Sequence, residues 1–126
     1  MYLLDSNIVI DFLNGDKKVG DWMYKEKSIH GLFSFAISTV GRIEVLSDKR
    51  LTEKQAMELE KFLDSFDSLD MNDEIARLAA MLRREKVLTL GDAIVAATAI
   101  IRKRRLVTRD KSLAKKVKNL VEMVSI

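Results

Sequence analysis

The sequence predicts an α/β fold: a single three-layer domain in which a central, mostly parallel β-sheet is flanked by helices. Short apolar runs alternate along the chain with longer segments that carry apolar residues at helical spacing. Most of these runs are followed within a few residues by Asp, Ser, Thr or Asn, which commonly cap helices. The 126 residues contain no proline, and no repeat or low-complexity linker divides them. We therefore expect one domain over residues 1–126.

The N-terminal half is predicted to contain two strands and four helices. Asp5-Ser6-Asn7 can cap the first helix, and Ser38 or Thr39 can cap the third. Phe33 and Phe35 alternate with small residues, as the core positions of a strand do. The predicted elements are a strand over residues 2–4, helices over 8–13 and 17–27, a strand over 32–37, and helices over 39–46 and from 52 onward.

The C-terminal half continues the alternation with three strands and three helices. Ile75, Leu78, Ala79 and Leu82 follow the i, i+3, i+4, i+7 spacing of an amphipathic helix. The next helix is almost wholly apolar over residues 93–101, so we expect it to be central. The predicted elements are a strand over 66–69, helices from 72 and from 90, a strand over 106–108, a helix over 111–117 and a strand over 120–124.

The composition excludes several classes of site. Cysteine is absent, which excludes disulfide scaffolds, thiolate metal sites and thiol catalysis. The single histidine, His30, is expected in a loop, and it excludes metal sites built from several histidines. No stretch approaches 18 uninterrupted apolar residues, and the N-terminus lacks the pattern of a signal peptide. We therefore expect no membrane span and a cytoplasmic location.

Cations are concentrated near the C-terminus, although the net charge is only +3. Residues 102–105 are Arg-Lys-Arg-Arg, and five more cations follow before residue 119. A solvated helix end, where the macrodipole favours cations, explains such a cluster. For any single residue that explanation is favoured, a phosphate-binding surface is the functional alternative, and charge alone does not choose between the two.

Four carboxylates are predicted near the sheet edge where folds of this class bind ligands, beyond the carboxyl ends of the strands. Asp5 directly follows the first strand, and Asp110 lies two residues past Thr108 at the end of a later strand. Glu44 belongs to the helix after the second strand, and Asp92 to the start of the apolar helix. Taken singly, each has an ordinary role as a helix cap or a surface carboxylate.

Taken together, the four carboxylates indicate a cation site. Like charges at one edge repel, so a site that keeps all four ionised requires cations. Hard oxygen donors suit Mg²⁺ or Mn²⁺, and such ions support phosphoryl transfer by lowering the pKa of bound water. This chemistry requires no histidine, cysteine or serine nucleophile, which agrees with the composition.

The carboxylates lie in four segments: LLDSNIVID at 3–11, STVGRIEVL at 38–46, LGDAIVAATA at 90–99 and LVTRD at 106–110. In this order the segments resemble the motifs of the PIN-domain family of metal-dependent ribonucleases. The resemblance is closest to the VapC-type toxins of prokaryotic toxin–antitoxin pairs and covers nearly the whole chain. The third segment is the most distinctive. Gly41 departs mildly from the family pattern, in which a larger residue often precedes the Glu.

The resemblance implies a PIN-like fold and an endoribonuclease that prefers single-stranded RNA and uses Mg²⁺ or Mn²⁺. It identifies the acidic quartet as the catalytic metal site, with Asp5 and Asp92 as the direct ligands. It also assigns roles to residues around the quartet. The hydroxyls of Ser6 and Thr108 support the metal site, and the Asn7 amide fixes the loop. Asp11 lies behind the metal ligands or is a plain surface residue, and Arg42 and Arg109 line the RNA path or only aid solubility. The quartet itself is Asp5, Glu44, Asp92 and Asp110.

The resemblance also implies partners: RNA as substrate, a cognate antitoxin that fills the active-site groove, and a second copy in a homodimer. Trp22, Met23 and Tyr24 on the second predicted helix are expected in the core, with an apolar groove for such a partner as the alternative. A non-toxin RNA-processing nuclease, and a non-catalytic RNA- or protein-binding module on the same fold, remain alternatives.

Three other α/β classes are excluded near Asp5. A receiver domain requires adjacent acidic residues after the first strand, and an aspartyl-phosphate phosphatase requires a second Asp two residues later. Ser6 and Asn7 occupy those positions. A P-loop or dinucleotide-binding fold requires a glycine-rich turn, which is also absent after this strand.

Overall fold

The computed structural model describes residues 1–31 and 34–126, and their architecture confirms the predicted α/β class. Five strands and seven helices lie in these two ranges. In chain order they are β1 (Tyr2–Leu4), α1 (Ser6–Leu13), α2 (Lys17–His30), β2 (Phe35–Ser38), α3 (Thr39–Leu46), α4 (Glu53–Leu63), β3 (Asp67–Leu69), α5 (Asp73–Lys86), α6 (Leu90–Ile101), β4 (Arg105–Val107), α7 (Lys111–Val117) and β5 (Met123–Val124).

The sheet is parallel throughout, with the strand order β3-β2-β1-β4-β5. β1 lies at the centre and pairs with β2 on one side and β4 on the other. The chain therefore winds outward to β3 and then crosses over to β4, so the strand order reverses beside β1. In open α/β sheets, the crevice beyond the carboxyl ends of the strands at such a reversal is where ligands bind.

The two faces of the sheet bury separate apolar clusters because successive side chains of a strand point to opposite faces. On β1, Leu3 belongs to the cluster under α5, α6 and α7, whereas Tyr2 and Leu4 belong to the cluster under α1, α2 and α4. On β4, Leu106 and Val107 divide between the clusters in the same way. The result is the predicted three-layer arrangement.

Side-chain caps fix where the helices begin. Asp5, Ser38 and Asp110 each follow or end a strand and accept a hydrogen bond from a backbone N–H of the helix that comes next. Thr52 forms a reciprocal capping box with Gln55 at the start of α4. Strand ends are thereby joined directly to helix starts, which holds the acidic residues at those junctions in fixed positions.

Several sequence-based boundaries were wrong. The second strand, expected at 32–37, lies at Phe35–Ser38, and Leu32 and Phe33 fall outside the described residues. His30 is the last residue of α2 rather than a loop residue, because the helix continues until Gly31 takes a positive φ of 82°. The last strand, expected at 120–124, is reduced to Met123–Val124.

Within the described ranges, none of the helices combines the length and apolar character that a membrane crossing requires.

Candidate active site

Two of the four acidic residues lie at the strand reversal itself. Asp5 is the residue after β1 and is buried, with 7% of its surface exposed. Its Oδ1 accepts from the Ser6 backbone N–H at 2.9 Å, so the carboxylate also caps α1. Asp110 follows β4 and caps α7 by accepting from the Leu113 N–H at 3.1 Å. Because β1 and β4 are neighbours, both carboxylates reach the same crevice.

The Thr108 hydroxyl joins these two strand ends. It donates to Asp5 Oδ2 at 2.7 Å and accepts from the Asp110 backbone N–H at 3.0 Å. The Asn7 side-chain amide also donates to it, at 3.4 Å. Thr108 is buried, so these bonds are shielded from competing water. The hydroxyl fixes the orientation of the Asp5 carboxylate, and its supporting role at a metal site stays a prediction.

The other two acidic residues come from helices. Asp92 lies in the first turn of α6, where Thr89, rather than Asp92, caps the helix by accepting from the Asp92 N–H at 3.2 Å. The capping alternative for Asp92 is therefore wrong, and its carboxylate is left without that role. Glu44 lies on α3 and faces the start of α6: a Cβ added at Gly91 would lie 3.9 Å from Glu44 Oε1.

The four carboxylates lie close enough for their negative charges to act on one another. Burial raises the pKa of Asp5, and the negative charges of Asp92 and Asp110 raise it further, against the hydrogen bonds from Thr108 and Ser6. Partial burial of the Glu44 carboxyl raises its pKa, and Asp5 and Asp92 contribute in the same direction.

Asp92 follows the same pattern, since burial comes first and the charge of Asp110 second in raising its pKa. The charge of Lys116 on α7 opposes this rise. Asp5, Glu44 and Asp92 thus each carry an electrostatic cost when ionised that a bound cation would relieve.

The donor set suits a hard divalent cation. All four groups offer carboxylate oxygens, and cysteine thiolates are absent from the chain. In residues 1–31 and 34–126, no three acidic or histidine side chains are clustered as tightly as around one bound ion. Mg²⁺ is commonly held by one or two carboxylates with waters completing its shell, so this looser arrangement fits it.

Asn7 presents an unused acceptor beside the site. Its Oδ1 is buried and has no hydrogen-bond partner among the described residues, while its Nδ2 reaches Thr108. The amide therefore links α1 to the end of β4, and its loop-fixing role stays a prediction.

Both arginines expected along the RNA path are engaged by carboxylates. Arg42 Nη2 lies 2.6 Å from Oδ1 of Asp64, which follows α4, and 3.8 Å from Oε1 of Glu60 on α4. Arg109 is bonded to Asp11 and Asp16. An RNA-binding role for either residue stays a prediction that must overcome these ion pairs.

A lysine near the site was missed from the sequence. Lys116 is exposed, donates through Nζ to the Val87 carbonyl at 3.2 Å, and lies near enough to Asp92 to influence its pKa. Val87 is itself unusual, because a β-branched residue there adopts the left-handed conformation at φ 54°. Lys116 was inconspicuous in the sequence among several C-terminal lysines.

The three α2 residues that were expected in the core divide between core and surface. Met23 is buried and Trp22 packs against the cluster beneath α1, α2 and α4, as expected for core residues, whereas Tyr24 is 75% exposed. Beside them lies an apolar cavity of about 200 Å³. Its lining includes Phe12, Met23, Tyr24, Phe35, Phe62 and Phe66.

The chain matches the model of one protein family. The family is described as the PIN domain, and the match covers residues 2–119. It includes all four acidic residues of the crevice. No match is found among curated proteins.

Solved structures with the same fold come from several bacteria. A toxin–antitoxin complex from Klebsiella pneumoniae is 27% identical, with a TM-score of 0.80 over 98% of this chain and 96% of that one. VapBC2 from Rickettsia felis, bound to a promoter DNA fragment, is 20% identical, with a TM-score of 0.78 over 99% and 98% of the chains. FitAcB from Neisseria gonorrhoeae is 21% identical, with a TM-score of 0.78 over 98% and 96%.

Proposed function

The chain belongs to the PIN domain family, and on that premise we propose that it is a Mg²⁺- or Mn²⁺-dependent endoribonuclease. The observation that carries the proposal is the convergence of four carboxylates at the strand reversal with little opposing charge. Burial and mutual repulsion raise the pKa of three of them, Asp5, Glu44 and Asp92. A protein that bears this cost in its metal-free form gains most from binding a divalent cation.

The residues divide into ligands and supports. Asp5 and Asp92 are the proposed direct ligands, with Glu44 and Asp110 completing the acidic wall of the crevice. When bound, Mg²⁺ or Mn²⁺ supplies Lewis acidity that favours ionisation of water and offsets negative charge on a phosphodiester. Thr108 holds the Asp5 carboxylate in one orientation through its 2.7 Å hydrogen bond.

Lys116 is the proposed contact to the RNA backbone. It is exposed at the rim of the crevice, and its hydrogen bond to the Val87 carbonyl leaves the ammonium group with further donors. A phosphate entering the acidic crevice requires a compensating cation near its path. Arg42 and Arg109 are already paired with carboxylates, so Lys116 is better placed for this contact.

We further propose that the protein is the toxin of a type II toxin–antitoxin pair, acts as a homodimer in the cytoplasm, and is inhibited by a cognate antitoxin. The Klebsiella pneumoniae relative, itself part of a toxin–antitoxin complex, supports a protein partner. The apolar cavity beside Phe12 and Phe62 offers a surface for an apolar side chain of such a partner. Growth arrest on expression, relieved by the product of an adjacent small gene, is the expected result.

The activity is tested by incubating purified, partner-free protein with a total cellular RNA pool. A pool is required because a single RNA can lack the preferred site. Reactions contain Mn²⁺ or EDTA, and Asp92→Asn is compared with the wild type in parallel. Asp21→Asn, on the exposed surface of α2, makes the same chemical change away from the crevice and serves as the matched control.

The proposal predicts cuts with the wild type and Asp21→Asn in Mn²⁺, and none with EDTA or Asp92→Asn. Equal cutting by Asp92→Asn would mean that the site is misassigned or that a contaminant cuts. A folded wild type that cuts nothing in Mn²⁺ would favour a non-catalytic binding module.

A further inference from the structure

Arg109 lies in the segment that joins the end of β4 to α7, beside the acidic crevice. It lies between Thr108, whose hydroxyl bonds Asp5, and Asp110, which caps α7. Its own side chain extends toward α1 and α2. There Nη1 donates to Asp11 Oδ2 at 3.0 Å and to Asp16 Oδ2 at 2.7 Å.

The two acceptors are themselves held in place. Asp11 lies on α1, and its backbone carbonyl accepts from the Asp16 N–H at 2.9 Å. Asp16 caps α2 through Oδ1, which accepts from the Val19 N–H at 3.1 Å, and so leaves Oδ2 for Arg109. The guanidinium therefore binds the junction between α1 and α2, where hydrogen bonds hold both carboxylate-bearing residues in place.

These bonds fix the 108–110 segment on its second side. Thr108 ties the segment to Asp5 from within the crevice, and Arg109 ties it to the α1–α2 junction from outside. Repulsion from Asp5 and Asp92 acts to push Asp110 out of the crevice when no cation is bound. The Arg109 bonds oppose that displacement.

The charge balance argues against a contact to RNA. One guanidinium faces two carboxylates, and its hydrogen bond is the main cause that lowers the pKa of Asp16. Asp11, Asp16 and Arg109 together carry one negative charge, which repels phosphate. About two-thirds or more of each of the three side chains is also shielded from solvent.

We propose that Arg109 is a positioning residue, which holds Asp110 at the acidic crevice by binding Asp11 and Asp16. This inference rests on the proposed function for its catalytic consequence. The placement of Asp110 can be measured independently of catalysis.

Two variants remove the same bonds with opposite changes of charge. Arg109→Met removes the cation, and the double variant Asp11→Asn/Asp16→Asn removes both anions. Asparagine caps helices as well as aspartate does, so the start of α2 is retained in the double variant. Arg104→Gln breaks an Arg–Asp pair at the opposite end of the sheet and serves as the matched control.

Mn²⁺ binding to the protein alone is the first readout. By charge alone, Arg109→Met strengthens Mn²⁺ binding and the double aspartate variant weakens it. If Arg109 is a positioning residue, Arg109→Met and the double aspartate variant should each bind Mn²⁺ about 10- to 100-fold more weakly than the wild type. The triple variant, which combines all three substitutions, should bind Mn²⁺ no more weakly than the weaker of those two. Unchanged or tighter binding in Arg109→Met, or fully additive losses in the triple variant, would overturn the inference.

Kinetics on RNA separate positioning from substrate contact. Positioning predicts a lower kcat in both variants. A backbone contact instead predicts a higher KM with unchanged kcat in Arg109→Met, together with a lower KM in the double aspartate variant. The second pattern would overturn the inference while leaving the nuclease proposal intact.

Hydrogen exchange tests the inference even if the protein proves not to be a nuclease. The Asp110 N–H is bonded to Thr108, and the Leu113 N–H is bonded to Asp110. Both amides should exchange faster in Arg109→Met and in the double aspartate variant, and at the wild-type rate in Arg104→Gln. Wild-type exchange at both amides in the two variants would overturn the inference. If Arg109→Met fails to fold, the double variant provides the same comparison.

Discussion

The two ends of the parallel sheet handle charge in opposite ways. At the amino ends of the strands, Arg104 pairs with Asp67, and the Arg105 guanidinium lies 4.4 Å from the centre of the Tyr2 ring. The Tyr2 hydroxyl donates in turn to Glu26 at 3.0 Å. We call this the paired end. At the carboxyl ends, which we call the acidic end, Asp5, Glu44, Asp92 and Asp110 gather with little opposing charge.

The difference separates charge that serves the fold from charge that serves a ligand. At the paired end, Arg104 faces an anion and Arg105 faces an aromatic ring, both supplied by this chain. At the acidic end, burial and repulsion raise the pKa values of Asp5, Glu44 and Asp92. Such strain persists in a fold when a bound group relieves it.

The largest loss of activity is expected when one carboxylate of the acidic end is exchanged for an amide. Asp5→Asn should reduce RNA cleavage in Mn²⁺ by at least about 100-fold, because a cation's Lewis acidity is worth several kcal/mol. Asn retains the helix-capping ability of Asp5, so the fold should persist. Arg104→Gln, at the paired end, should cleave at the wild-type rate and lose about 1 kcal/mol of stability. Equal losses of activity in the two variants would erase the distinction between the ends.

Removing the hydroxyl that organises the acidic end should have the next largest effect. Thr108→Val keeps the shape of the side chain but removes the bond to Asp5 and the acceptor used by the Asp110 N–H. Mn²⁺ affinity, measured by calorimetry, should fall about 10- to 100-fold. Thr108→Ser restores the hydroxyl and should recover most of the affinity. A serine variant as weak as the valine variant would instead point to lost packing.

The cation at the rim should matter less. Lys116→Met should raise the KM for RNA several-fold at moderate salt. The slope of the logarithm of the RNA-binding constant against the logarithm of the salt concentration should become shallower by about one. Lys115→Met, one position along α7, is the matched control, since it makes the same change of charge. Indistinguishable salt slopes for the two variants would remove Lys116 from the RNA path.

The smallest expected effect is on stability, and its sign depends on pH. A carboxyl whose pKa is raised by folding costs stability when ionised, so this cost is absent below its unfolded pKa near 4 and develops as pH rises through the folded value. The free energy of unfolding of metal-free Asp92→Asn, measured in urea at pH 7, should therefore be higher than that of the wild type, by an amount that solvent screening of this partly exposed carboxyl keeps small.

The advantage of Asp92→Asn should shrink as the pH falls below about 4, because the Asp92 carboxyl then becomes protonated in both the folded and the unfolded protein. It should reverse in saturating Mn²⁺, because the cation stabilises only the form that binds it. A wild type that is the more stable protein at pH 7 without metal would contradict the raised pKa of Asp92. Groups such as Asp16, whose pKa is lowered by Arg109, act in the opposite sense and are common to both proteins.

The sequence predicts those features of the fold that depend on neighbouring residues. The alternation of strands and helices, and caps such as Asp5 and Asp110, follow from local patterns and match the structure. Boundaries set by the end of a helix, such as the extension of α2 to His30, depend on backbone conformation that composition does not reveal. The short β5 has only the edge pairing with β4 to define it.

The acidic residues were foreseen because each follows a strand or opens a helix, whereas their partners were not. Arg109 bonds Asp11 and Asp16 across more than 90 positions of the chain, and Arg42 bonds Asp64 across 22. No local pattern connects such residues, so both arginines looked free. Lys116 was overlooked for the converse reason, since only the fold brings α7 beside Asp92.

The most direct test of the acidic end is a calorimetric titration of metal-stripped protein with Mn²⁺ in the absence of RNA. Saturable binding is expected for the wild type and for Arg104→Gln, with affinity at least about 10-fold weaker in Asp92→Asn. A wild type that shows no saturable binding, or an Asp92→Asn variant that binds as tightly as the wild type, would contradict the assignment of this end as a cation site.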